Sequence, residues 1–285
     1  LATAIDENSL QQSPVVDTLR IQELFVDYSL LNSVQFRAGK QSVTWGQGRL
    51  VGNPGNIVNR VGSGVSLRAF VPVGPNGFTG LLYSTPDFIE PEESFGLSSF
   101  GVAGLFEASF LSTTLGASTH YRAGEPVIIG SYGKTVLAGI DMAAEAVVRL
   151  HPETDPAEEP PAPSVQVIAN AFWESGTTPN FSVLGEYSYD GTATAPAPHL
   201  AGIALGLSSI PGTDWRIGLQ WLHAFEDTSG QVVLGTEGTL APGLSGRFAI
   251  PVTYGASDSY YRNRSPDPSG RVLSLVAQVT MTLSF

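Results

Sequence analysis

The last fifteen residues, Arg271 to Phe285, restrict the fold more than any other stretch of the chain. Leu273, Leu275, Ala277, Val279, Met281, Leu283 and Phe285 fall on one parity. Ser274, Gln278, Thr280, Thr282 and Ser284 fall on the other, with Val272 and Val276 as exceptions. Successive strand residues point to opposite faces, so this segment presents one apolar face and one small, polar face. Its length matches a tilted strand crossing a bilayer, which takes about 9–11 residues, whereas soluble strands run to about 5–6.

The pattern recurs along the chain. Leu24, Val26, Tyr28 and Leu30 oppose Glu23, Asp27 and Ser29, and Val34, Phe36 and Ala38 oppose Gln35, Arg37 and Gly39. Trp215, Ile217, Leu219 and Trp221 oppose Arg216, Gly218 and Gln220. Hydrophobic residues make up 42% of the chain and charged residues only 14%, where roughly 25% charged is usual for a soluble protein. No uninterrupted apolar window is long enough for a membrane helix, which needs about 20 residues. The most helix-like stretch, from Val136 to Leu150, is broken by Asp141 and Glu145. The alternation therefore predicts an all-β transmembrane antiparallel barrel located in the outer membrane, with residues 1–17 as an N-terminal segment and 18–285 as the barrel. No signal peptide is visible at Leu1, and the sequence reads as a mature or trimmed form.

About fourteen strands are expected, over 18–30, 34–46, 61–73, 78–84, 97–109, 112–122, 133–149, 164–174, 180–190, 199–209, 213–225, 230–240, 243–254 and 271–285, and a count of twelve also fits. Val73-Gly-Pro-Asn-Gly77 reads as a hairpin turn. The segment from His151 to Ser164, rich in Pro, Glu and Asp, reads as a long loop. Short turns and long loops alternate over the C-terminal half, as expected of short periplasmic turns and longer extracellular loops. Near the start the alternation conflicts. The short turn Leu31-Asn-Ser33 and the long loop from Gly46 to Arg60 each fall on the wrong side. Either the strand count is off by one, or the chain begins partway through a longer protein.

Several classes of function are excluded or left without support. There is no cysteine, so disulfides and thiolate metal sites are ruled out. The net charge of −12 argues against nucleic acid as a partner, which requires a basic face. His120, His151, His199 and His223 have no metal-ligand spacing, and no Gly-x-Ser-x-Gly elbow is present. Neither a metal, a cofactor nor a catalytic role is expected. By parity, Glu23, Asp27, Arg37, Arg68, Glu107, Asp141, Glu145, Glu186, Arg216, Glu237 and Arg247 share the face opposite the aliphatics. Seven are acidic and four are basic. In a barrel these residues line the lumen, and an acidic excess predicts a mild preference for cations. Tyr187, Tyr189, Trp173, Trp215, Trp221, Tyr254 and Phe285 lie near strand ends, where aromatic girdles meet the headgroups.

Two resemblances add to this reading. The run Glu23-Leu-Phe-Val-Asp-Tyr28, followed by Phe36-Arg-Ala-Gly-Lys-Gln41 and Val43-Thr-Trp-Gly46, resembles a hairpin of large outer-membrane porin-like proteins. Ala277, Met281, Leu283 and Phe285 resemble the C-terminal signal read by the barrel-assembly machinery. The resemblance implies a passive channel or uptake barrel for small polar solutes. Its implied partners are outer-membrane lipid, the assembly machinery, and a second copy or another envelope protein. A structural or assembly-partner barrel that holds another envelope component is the alternative, and a barrel hydrolase ranks below both.

Overall fold

The computed structural model describes residues 23–31, 33–41, 43, 45–52, 65–84, 100–151, 162–192, 195–242, 244–263 and 276–281. The strands are β1 Leu24–Leu30, β2 Val34–Lys40, β3 Val65–Val73, β4 Asn76–Ser84, β5 Phe100–Phe110, β6 Thr113–Arg122, β7 Val127–Leu137 and β8 Ile140–Leu150. They continue with β9 Ser164–Glu174, β10 Asn180–Asp190, β11 His199–Ser208, β12 Arg216–Ala224, β13 Ser229–Ala241, β14 Leu244–Tyr254 and β15 Val276–Met281. One helical turn, α1 Tyr260–Asn263, follows β14. Among the described residues the strands form a single 15-stranded sheet in chain order, and every neighbouring pair is antiparallel.

The sheet is open, which corrects the expectation of a closed transmembrane barrel. Its order ends on β1 and β15, and among the described residues no ladder joins these two strands. Alternation is a local property that fixes which face of each strand is apolar. Closure depends instead on the first and last strands meeting in matched stagger, which no single strand encodes. The described part of edge strand β15 has 6 residues, and β1 and its neighbour β2 have 7 each, against 11 in β5, β7, β8, β9, β10 and β14. Ala277 and Met281 lie in β15, whereas Leu283, Phe285 and residues 1–22 lie outside the described residues.

The strand count is corrected as well, and the correction removes the conflict near the start. The expected strand over 133–149 is in fact two strands, β7 and β8, joined at Ala138 and Gly139. Both turn residues have positive φ, 51° and 79°, the conformation of the tight hairpin turn that matches strand twist. With this hairpin added, the connections 31–33, 74–75, 111–112, 138–139, 175–179, 209–215 and 242–243 all fall at one end of the sheet. The long connections 41–64, 85–99, 151–163 and 255–275 all fall at the other.

The two faces differ sharply. On one, apolar side chains are left bare: Val26 is 71% exposed, Val102 47%, Ile129 47%, Ile203 43% and Leu234 50%. On the other, part of the β2–β3 connection lies against the strands and buries a core of Val43, Trp45, Leu81, Tyr83, Ala103, Leu105, Ile128, Tyr132 and Val147. Several glycines serve this packing by leaving room for a ring on the neighbouring strand. Gly101 lies opposite Tyr83 and Gly116 opposite Tyr132, and a Cβ at either glycine would collide with the ring. Such aromatic cover over a cross-strand glycine pins the register.

Candidate functional site

Residues 41–52 form the most heavily built feature of the covered face. Their first part is apolar and docks over β4 to β8 through Val43 and Trp45. Their second part is glycine-rich and carries exposed backbone N–H groups that need acceptors. Gly48 fits only as glycine, because a Cβ there would run into the Gly52 carbonyl and come within 2.7 Å of Ile168 Cδ1. The segment therefore reaches the strands closely enough for their side chains to bind its backbone.

The contacts advance strand by strand. The Gln41 amide donates to the carbonyls of Arg37, at 3.2 Å, and Ser66, at 3.3 Å. The Gln47 N–H donates to Glu145 Oε2 on β8 at 2.8 Å, and the Asn170 amide on β9 donates to the Gln47 carbonyl at 2.6 Å. Glu186 on β10 then accepts three consecutive N–H groups: Arg49 at 2.6 Å, Leu50 at 2.7 Å and Val51 at 2.7 Å. Three adjacent donors converging on one carboxylate form an anion nest filled by the protein's own side chain. Glu145, Asn170 and Glu186 are 4%, 7% and 5% exposed, so these bonds are made away from water. Val51 finally packs against the second buried cluster, Ala197, Leu200, Ala224 and Tyr261.

The pairing register shows where the remaining charged residues lie. Asp27, Arg37 and Arg68 form one cross-strand row, in which Arg37 grips Asp27 with two bonds of 2.7 and 2.9 Å and stacks over Phe25. Glu107 accepts the Tyr132 hydroxyl and lies 3.9 Å from Lys134. Asp141 stands opposite Val136 beside the 138–139 turn, and Glu23 immediately precedes β1. Arg216, Glu237 and Arg247 form a row across β12, β13 and β14, with Arg216 and Glu237 3.7 Å apart. These are separate clusters. Glu145 and Glu186 are spent on the 41–52 segment, and that segment occupies the face assigned to a water-filled lumen. The expectation of a cation-preferring diffusion channel is overturned by this packing together with the open sheet order.

Sequence reasoning missed Asn170, Lys134 and the backbone of 47–51. Treating 133–149 as one strand placed Lys134 on the face opposite Asp141. The 138–139 turn returns it to the face of Glu107. Nothing in the composition of 41–52 reveals that its N–H groups are the bound partners.

Four of the aromatics expected as girdles lie on the bare face near the end that carries the long connections, and they include histidine partners. The Tyr187 hydroxyl is 2.6 Å from His199 Nδ1, and Tyr189 packs on the same ring. Trp221 Nε1 donates to the Tyr254 hydroxyl at 2.9 Å, and His223 Nδ1 lies 3.0 Å from that oxygen. His120 is buried against Tyr83 at 2.6 Å. Among the described residues no group of three or more His, Asp or Glu side chains is placed to hold a metal.

No protein-family model matches the chain, and no curated protein matches it. Its fold is similar to that of Wzi, an Escherichia coli outer-membrane protein involved in group 1 capsule assembly and described as a carbohydrate-binding β-barrel. The TM-score is 0.61 and the identity 13%, over 92% of this chain and 70% of that one. At this identity the likeness is one of fold, an all-β antiparallel architecture.

Proposed function

We propose that this chain is an outer-membrane assembly partner that holds an envelope component, with carbohydrate as the class of component. The observation that carries this reading is the clamp of Glu145, Asn170 and Glu186 on residues 47–51. It turns the middle of the polar face into a built, buried surface suited to holding. The bare aliphatic face supports a position against outer-membrane lipid, because a contiguous apolar surface of this extent is otherwise an aggregation hazard. Capsule assembly and carbohydrate binding are properties of Wzi, and the shared fold supports extending that class of role to this chain.

The test uses the full chain reconstituted into phospholipid vesicles. Purified surface polysaccharide is expected to sediment with protein-bearing vesicles and not with empty ones, and planar bilayers carrying the chain are expected to stay electrically silent. Polysaccharide left in the supernatant, or stepwise conductance, would refute the proposal.

A further inference from the structure

The 41–52 segment reaches β11 and β12 through Leu50 and Val51, and α1 packs against Ala224 and Ser229 at the far end of β12 and β13; toward the short-turn end of β11 to β14 a groove opens beside Leu50. Three cavities meet there, of about 330, 460 and 410 Å³, and all three are lined by Arg216. The first is walled on one side by Leu50, the tip of the clamped segment, and also contains Gln220, Glu237 and Arg247. The second adds Asp214 and Thr239, and the third adds Ser182 and Ser208. Their volumes lie in the range of about 300–1,000 Å³ typical of small-ligand sites.

The charges in this groove are unevenly matched. Glu237 lies 3.7 Å from Arg216, and Asp214 accepts the Thr239 N–H at 3.1 Å. Arg247 stands opposite Glu237 in the register, and among the described residues its guanidinium has no ion pair or hydrogen bond. An unengaged guanidinium fork matches a carboxylate in geometry and charge. The surrounding amide, hydroxyl and carboxylate groups suit a ring bearing several hydroxyls.

We infer that the groove between Leu50 and Arg247 is a receptor site for an acidic sugar residue, with Arg247 receiving its carboxylate and Gln220 and Glu237 its hydroxyls. This inference rests on the carbohydrate-holding reading above and names the sugar class and the site.

Titration calorimetry on the full detergent-solubilised chain tests it, with a trimer of galacturonic acid, a neutral galactose trimer and inorganic phosphate as the probes. The acidic trimer is expected to bind roughly tenfold or more tightly than the neutral one, a preference that falls with added salt. Arg247→Gln should abolish the preference. Arg247→Lys, which keeps the charge but not the fork, should retain only part of it. Equal binding of the two trimers, a preference that survives Arg247→Gln, or phosphate competing as well as the acidic trimer would overturn the inference. If polysaccharide still sediments with the vesicles while the acidic trimer shows no preference, the groove assignment falls and the holding function stands. If both fail, both fall.

Discussion

Replacing Glu186 tests the clamp where its energetics are most concentrated. The carboxylate is 5% exposed and accepts three N–H groups at 2.6 to 2.7 Å. Hydrogen bonds to a charged group contribute about 1.5–3 kcal/mol each, and a buried donor left without an acceptor is penalised by about 1–3 kcal/mol. The three bonds share one acceptor group and are not additive. Glu186→Ala is therefore expected to destabilise the protein by about 3–5 kcal/mol, the range seen when one side of a buried charged interaction is removed. Glu186→Gln is a finer probe. Oε1 serves Leu50 and Val51 while Oε2 serves Arg49, so a single amide oxygen leaves at least one donor facing an NH₂ group. Its expected loss is about 1–3 kcal/mol. Denaturant unfolding in detergent measures both values, and hydrogen exchange at 49–51 locates them. A loss below about 1 kcal/mol for Glu186→Ala, with the three amides still protected, would refute the clamp.

Other substitutions separate crowding from conformation and pH. Gly116→Ala drives a methyl group into the Tyr132 ring and disturbs its hydroxyl bond to Glu107, for an expected loss of about 1–3 kcal/mol in unfolding free energy. Gly185→Ala, where a Cβ meets nothing within 4 Å, should change stability by less than about 1 kcal/mol in the same assay. Burial raises the Asp227 carboxyl pKa, but hydrogen bonds from Ser229 and from the Tyr260 N–H outweigh this and hold it below the ordinary carboxylate range. Its contribution to docking α1 is thus complete above about pH 4 and disappears as pH falls through the lower folded value. Exchange of the Tyr260 amide should accelerate on acidification in the wild type and be fast and nearly pH-independent, after correction for intrinsic rates, in Asp227→Ala.

Strand faces were legible in the sequence because parity is local. The register places Asp27, Arg37, Arg68, Glu107, Glu145 and Glu186 on the face opposite the bare aliphatics, as alternation alone implies. The hairpin at Ala138 and Gly139 was not legible. Leu137-Ala-Gly-Ile140 lacks the Asn-Gly or Asp-Gly signature, and its only turn signal is Gly139. Nor could alternation reveal that the sheet ends on two edges, or that the glycine-bearing run after β2 folds onto the sheet. Those features depend on contacts between residues some hundred positions apart, such as Gln47 with Glu145.

That residues 41–52 lie across the polar face from β4 to β11 has a direct chemical test, since the chain has no native cysteine to interfere. A Cβ on Gly202 would lie 3.4 Å from Leu50 Cβ, close to the separation of about 3.5–4.5 Å found across a disulfide. The double substitution Leu50→Cys and Gly202→Cys should therefore form an intramolecular bond under mild oxidation, detected as a mobility shift reversed by reductant. If the two thiols stay free to alkylation in the folded protein, the segment does not lie across β11, and the account of a covered, holding surface is wrong.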